Sequence, residues 1–268
     1  MNELNATVMH RSEVTHGLLI MRVKPDFPVP DFRAGQYAVL GLPPTAPRVA
    51  VADPEDPPPD PAKLIRRAYS VASGSVQKEY LEFYVALVAG GALTPRLFAL
   101  RQGDRVFLGK KIVGMFTLSD VPQGNDLVFV ATGTGLAPYV SMLRSQYDFE
   151  TSHRTLVIHG ARHSWDLGYS RDMAALASRH ENFRYVPMVS RPDGEEPPWP
   201  GLTGRVTSLF TDDAIEGLLG TPFDPERIKV FLCGNPDMIT ELMGWLEARG
   251  YREHTRKQPG SIFVEKYW

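Results

Sequence analysis

The 268 residues include 29 Lys and Arg against 31 Asp and Glu, a formal net charge of −2, with 43% hydrophobic and 22% charged residues. That balance suits a globular chain of one large domain or two ordinary ones, and it gives no overall attraction for nucleic acid or an anionic membrane. A single cysteine, Cys233, excludes an internal disulfide and a resident four-cysteine iron–sulfur cluster.

The longest early apolar run, Leu18 to Met21, is too short for a secretory signal or a membrane span, so a cytoplasmic protein is expected. Residues 5–23 predict two strands around Thr15-His16-Gly17, and Ala38–Leu42 predicts a third after the Gly35-Gln36-Tyr37 turn. From Pro43 to Pro61 eight prolines and four acidic residues leave neither ladder donors nor core residues, which predicts a long surface loop.

Arg67-Ala68-Tyr69-Ser70 then opens a strand. A planar cation, a phenol ring and a hydroxyl so close together suit a flat, anionic ligand, although an ordinary exposed arginine and a core tyrosine fit the same pattern. Tyr80–Val88 alternates, with Leu81, Phe83, Val85 and Leu87 on one face. Gly90-Gly91-Ala92-Leu93-Thr94-Pro95 predicts a helix start with Thr94 at the N-cap and Pro95 at N1, running towards Gly103. Strands at Arg105–Leu108 and Met115–Leu118 complete a half that reads as a small antiparallel barrel.

Beyond Gln123 the pattern changes to alternating strands and helices. Strands are expected at Leu127–Ala131, Thr155–His159, Phe183–Val189, Lys229–Leu232 and Ile262–Glu265. Helices are expected from about Leu136, near Arg171–Arg179, near Val206–Leu219 with a break, and from Pro236 to Arg249. Such alternation predicts a doubly wound, mainly parallel α/β sheet. The domains therefore divide at 1–122 and 123–268.

Within the second domain, Val130-Ala-Thr-Gly133-Thr134-Gly135-Leu-Ala-Pro138 joins a strand to a helix through a glycine turn, a setting for a nucleotide pyrophosphate, with Pro138 where a third glycine is expected. The following strand ends in His159-Gly160-Ala161-Arg162 without the carboxylate that reads a ribose 2′-hydroxyl. Arg162, Arg191 and Arg205, all placed after strands, favour a 2′-phosphate instead. Cys233 stands at a strand end beside Gly234, either as core packing or next to a reactive centre. The last residues, Tyr267 and Trp268, are aromatics that need something flat to cover.

Taken in order, Gly35-Gln36-Tyr37, Arg67-x-Tyr69-Ser70, Gly91–Thr94, Gly133–Pro138, Cys233-Gly234-Asn235-Pro236 and Glu265-Lys-Tyr-Trp268 resemble the bacterial ferredoxin/flavodoxin–NADP reductases over the whole chain. That resemblance implies FAD on the barrel, Ala68 among the residues that bind it, with Arg67 at the pyrophosphate, Tyr69 on one isoalloxazine face and Ser70 near N5. It puts Gly91, Ala92 and Thr94 at phosphate, Tyr267 on the other flavin face and Trp268 towards the adenine. NADP(H) would use Thr134, Gly135, Arg162, Arg191 and Arg205, with Cys233 and Glu265 beside the nicotinamide. Ser70, Cys233, Glu265 and Tyr267 are thus the expected catalytic set, without a metal. The expected partner is an acidic ferredoxin or flavodoxin, with Arg66, Lys110, Lys111 and Lys266 as candidate docking cations and a monomer as the expected state. A flavin or oxygenase-component reductase on the same fold is the alternative, and a non-catalytic nucleotide-binding regulator a more distant one.

Overall fold

Short apolar-rich segments separated by glycine and proline turns fold as strands, because each can bury one face only against a neighbour. In the computed structural model, which describes residues 4–145 and 153–266, the first six are β1 (Ala6–Thr15), β2 (Leu18–Pro25), β3 (Tyr37–Leu42), β4 (Ile65–Ser70), β5 (Leu81–Ala86) and β6 (Arg105–Leu108). They form one antiparallel sheet in the order β4-β3-β6-β1-β2-β5. Past β4, a bridge from Val71 to Phe83 and an Ala72 N–H to Glu82 carbonyl bond of 2.8 Å bring the chain back against β5. Val8, Leu19, Met21, Leu40, Phe83 and Val85 fill the interior, and the helix α1 (Thr94–Ala99) adds Leu97 and Phe98.

Three expectations for this half are corrected. Met115–Leu118 is not a strand. Pairing there stops after the Tyr37–Val113 bridge, Gly114 has φ 134°, and a single 3-10 turn follows at Leu118–Asp120. The helix α1 ends at Ala99 and does not reach Gly103, because Leu100 is extended and buried and Arg101 N–H turns to the Asp104 carboxylate at 2.7 Å. Finally, β5 is buried on both faces, Glu82 and Tyr84 included.

Glu82 tolerates burial because two arginines reach it. Arg22 donates to one carboxylate oxygen at 2.7 Å and Arg144 to the other at 2.5 Å. A buried carboxylate without such partners carries a desolvation penalty of several kcal/mol.

The second sheet comprises β7 (Asp126–Thr132), β8 (Thr155–Ala161), β9 (Phe183–Val189), β10 (Leu202–Thr203), β11 (Ile228–Gly234) and β12 (Ile262–Lys266). All pairs are parallel, in the order β10-β9-β8-β7-β11-β12. The helices α2 (Ala137–Arg144), α3 (Ser170–Arg179), α4 (Asp212–Leu219) and α5 (Pro236–Glu247) alternate with them, and the expected break before α4 is a 3-10 turn at Val206–Leu209. β7 and β11 are buried almost throughout, as strands covered on both faces must be. The strand order reverses between β7 and β11, and that reversal opens the ligand crevice of doubly wound sheets at the carboxyl ends of the two strands.

Of the described residues, 4–119 and 137–145 form one compact unit and 120–136 and 153–266 the other. The helix α2 thus packs in the first unit although the glycine turn that starts it lies in the second. Ser141 donates to the Ser73 carbonyl at 2.7 Å, Ser145 accepts from the Ser75 N–H at 2.8 Å, and Arg144 holds Glu82.

Glu82→Ala removes the carboxylate that Arg22 and Arg144 share. Because Arg22 and Arg144 keep side-chain exposures of 41% and 35%, the expected loss is below that of a fully buried pair, about 2–3 kcal/mol. Urea unfolding of the full chain measures it.

Candidate functional site

On the first unit, β4 lies antiparallel to β3 with Tyr69 opposite Ala38 and Ser70 opposite Tyr37. Arg67 and Ala68 are exposed, Tyr69 is half-buried against the core and Ser70 is buried. Burial pushes the Tyr69 hydroxyl well above its ordinary pKa, against the pull of the Arg67 charge, so it stays a neutral phenol. Arg67 donates to the neighbouring Arg66 carbonyl at 2.7 Å and pairs with no carboxylate among the described residues. An exposed guanidinium therefore stands close along β4 to a partly exposed, neutral phenol ring.

The Gly90–Thr94 turn differs from expectation at its cap. Leu93, not Thr94, holds the N-cap position, without a side-chain cap bond. The Thr94 hydroxyl faces back, accepting from Val88 N–H at 3.0 Å and donating to the Val88 carbonyl at 3.1 Å. With its proton directed to Val88, Thr94 can offer a phosphate its backbone N–H. A Cβ on Gly91 would lie 3.0 Å from the Val88 carbonyl oxygen and 3.2 Å from the Thr94 hydroxyl, so this turn is drawn as tightly as a glycine allows.

On the second unit, the turn after β7 uses its two glycines for different reasons. Gly133 has φ 53° with open space around it, so backbone conformation selects it. Gly135 packs on the chain leaving β11, where a Cβ would overlap the Cys233 carbonyl group, 2.7 Å from its carbon. Gly234 has φ 135°, and a Cβ there would stand 2.9 Å from the Thr132 amide nitrogen. Thr132 Oγ1 accepts from Asn235 N–H at 2.8 Å, and the Asn235 side chain caps α5 by accepting from Asp237 and Met238. The turns after β7 and β11 are therefore one packed unit at the switch point.

Cys233 and Glu265 are in register on β11 and β12, with Sγ 3.9 Å from a carboxylate oxygen. The thiol is fully buried and Glu265 half-buried. The sequence could not pair them, since 32 residues separate them and only the β11–β12 ladder makes them neighbours.

Arg162, Arg191 and Arg205 follow β8, β9 and β10 by one or two residues, so three adjacent parallel strands deliver them to one rim. All three are exposed, and Arg191 N–H donates to the Arg162 carbonyl at 2.8 Å. The two-residue strand β10, invisible in the sequence, is what brings Arg205 there. Beside Arg162 stands another residue missed, Trp165, 50% exposed and stacked on His163 at 4.6 Å.

The family model for the oxidoreductase NAD-binding domain matches residues 129–243. The chain is 36% identical over 243 residues to the flavodoxin/ferredoxin–NADP reductase of Escherichia coli, covering 90% of each. This chain belongs to the flavodoxin/ferredoxin–NADP reductase family. The Buchnera aphidicola member from the Baizongia pistaciae strain is 31% identical over 90% of each chain. Among solved structures, a ferredoxin NADP+ reductase of Neisseria gonorrhoeae with bound FAD and NADP matches with a TM-score of 0.81 and 28% identity over 97% of each chain.

One residue supporting the glycine turn escaped the sequence reading of this reductase-family chain. His159, fully buried on β8, lies 3.2 Å from the Gly133 carbonyl through Nε2 and 3.1 Å from the Tyr185 hydroxyl through Nδ1. A carbonyl only accepts, so Nε2 carries the proton and Nδ1 accepts from Tyr185. Burial pushes the imidazole down to about 4, against the Gly133 bond that favours the cation. The expected contributions of Tyr267 and Trp268 lie outside the described residues.

Two outcomes are expected. Between the ordinary 6.5 and about 4 the unfolded chain binds a proton at His159 that the folded chain excludes, so stability falls as pH drops through that window. His159→Gln, which keeps a donor and does not titrate, flattens that acid limb in unfolding curves taken at successive pH values. Gly133→Ala lowers stability by about 1 kcal/mol through its left-handed backbone, and Gly135→Ala by about 3 kcal/mol because two backbones must part. Denaturant unfolding of the two variants side by side checks that order.

Proposed function

We propose that this chain is an FAD-dependent oxidoreductase of the cytoplasm that passes electrons between NADP(H) and a ferredoxin or flavodoxin. The observation carrying the NADP half is the convergence of Arg162, Arg191 and Arg205 at the ends of β8, β9 and β10, on a rim where β8 ends without a carboxylate. A dianionic 2′-phosphate suits three guanidinium groups, and a free 2′-hydroxyl gains little from them. The turn from Gly133 to Gly135 serves the pyrophosphate, with Thr134 and Gly135 as its ligands.

The flavin half rests on residues that fit a flat dinucleotide. Arg67, without a carboxylate partner among the described residues, serves the diphosphate beside Ala68, and the half-buried Tyr69 offers a ring face. Gly91, Ala92 and the Thr94 amide serve phosphate on a turn too tight for a side chain at Gly91. Bound FAD supplies two-electron acceptance from a nicotinamide and one-electron release, the chemistry that joins the two carriers. Ser70 is assigned to the N5 edge, and Cys233 with Glu265 to the nicotinamide, where a buried thiol and a carboxylate 3.9 Å apart shape the pocket and exclude water. Tyr267 is assigned to the second flavin face and Trp268 to the adenine, so Tyr267 must yield before a nicotinamide can stack. The assignment of residues 1–122 to FAD and 123–268 to NADP belongs to the same reading.

The first test is the visible spectrum of the purified chain with anaerobic NADPH or NADH. A flavin spectrum bleached preferentially by NADPH is expected, and a colourless protein that takes up no flavin removes the reading. Arg205→Ala is expected to weaken NADPH by about tenfold or more with little effect on NADH; equal losses take Arg205 out of the 2′-phosphate site. Tyr267→Ser is expected to tighten NADP+ and relax discrimination against NADH, measured by titration with both nucleotides.

A further inference from the structure

The segments leaving β8 and β9, which carry Arg162 and Arg191, are laced together by hydrogen bonds. Ser190 N–H donates to the Ala161 carbonyl at 3.0 Å, and Arg191 N–H to the Arg162 carbonyl at 2.8 Å. Four residues past Arg191, Glu195 enters the protein with a side-chain exposure of 2%. Its Oε1 accepts from Ser164 N–H at 2.7 Å and lies 3.9 Å from His163 Nδ1. A carboxylate so withdrawn from water costs stability unless a donor holds it. By accepting that N–H, Glu195 ties the turn at 162–166 to the segment that bears Arg191.

That turn carries an open aromatic plane. Trp165 is 50% exposed, and every other Phe, Tyr or Trp among the described residues is buried or half-buried. The His163 imidazole covers one face of the indole, with ring centres 4.6 Å apart and planes inclined by 13°. Stacking on a partly buried imidazole restricts the indole, so less rotamer freedom is lost when a second ring lies on it. Trp165 stands three positions past Arg162, which keeps their α-carbons within about 11 Å. In a nucleotide with a 2′-phosphate the base is joined at C1′, one carbon from the phosphate-bearing C2′. A guanidinium from this turn on that phosphate leaves the purine one sugar's width away, within reach of an aromatic residue on the same turn.

We propose that Trp165 is the stacking platform for the purine ring of NADP(H), held by His163 beneath it and by the Glu195 bond to its turn. The inference rests on the NADP reading above and adds to it a residue that recognises the base rather than the 2′-phosphate. Trp165 contacts the ligand, and Glu195 is a positioning residue. Adenine is common to NADP+ and NAD+, so Trp165 strengthens both, whereas the three arginines favour the nucleotide with the 2′-phosphate.

The test is calorimetric titration of the purified full-length chain with NADP+, NAD+ and adenosine 2′,5′-bisphosphate, alongside the melting temperature without nucleotide. Trp165→Ala is expected to weaken all three by about tenfold, with the ratio of NADP+ to NAD+ affinity and the nucleotide-free melting temperature unchanged. Trp165→Phe, which keeps a smaller ring, is expected to stay within about threefold of the parent. Glu195→Ala frees the turn that bears both Arg162 and Trp165, so it is expected to weaken NADP+ and to lower the ratio as well. Glu195→Gln, whose amide oxygen still accepts from Ser164, is expected to restore both. Unchanged affinities in Trp165→Ala overturn the proposal while a parent preference for NADP+ stands. So does a collapse of the ratio in Trp165→Ala, which makes the indole a prop for Arg162 and not a contact of the base. Parent-like binding by Glu195→Ala, or Glu195→Gln as weak as Glu195→Ala, overturns the positioning role. A parent chain that binds none of the three removes the NADP reading itself, and this inference with it.

Discussion

The close approach of the Cys233 carbonyl to Gly135 is the constraint on which the switch point of the α/β unit depends. Two backbones meet there without room for a methyl group. The contact fixes the turn after β7 against the turn after β11, and Thr132 completes it by receiving the Asn235 N–H. From that point the rest follows in order: the α5 cap on Asn235, the β11–β12 register that sets Cys233 beside Glu265, and the direction of the Gly133 carbonyl that His159 holds. The switch point of a parallel sheet is where ligands bind because topology leaves a crevice there. In this chain the crevice also has a hard floor.

Arginine plays a second role, apart from contacting ligands. Glu82 and Glu55 are carboxylates withdrawn from water, and each is forked or flanked by guanidinium groups that meet several acceptors at once. Such pairs add little net stability over apolar packing, but they fix geometry. Glu82 links α2 to β5, and Glu55 links a long loop to α1. Both links join segments distant in sequence, where hydrophobic contact alone would tolerate sliding.

Much of this architecture was legible in the chain. The switch from closely spaced strands to alternating strands and helices, the break before α4 and the exact span of β9 follow from apolar period and turn residues. Misreadings arose where tertiary partners override local signals. Glu82 reads as a solvent-facing position until Arg22 and Arg144 are known. Thr94 reads as an N-cap until Val88 takes its hydroxyl. Met115–Leu118 has strand composition but finds no neighbour to pair with. At the site, glycines, arginines and the Arg67–Ser70 run stand out by residue type, whereas His159 and Tyr185 carry no local signature. Their roles come from hydrogen bonds to groups far along the sequence, and β10, at two residues, is too short for any periodicity.

The helix α2 begins in a turn that packs with one unit and then lies wholly in the other. The division between the units is therefore not a point on the chain. A single cut near residue 120 would release the antiparallel sheet without the helix that supplies Arg144 to Glu82 and Ser141 to Ser73. Exchange of modules between relatives meets the same difficulty, since a transplanted α/β half carries a segment fitted to its former antiparallel sheet. The interlaced chain thereby favours inheritance of the two halves together, with the sheet residues against α2 and the sequence of α2 changing in concert.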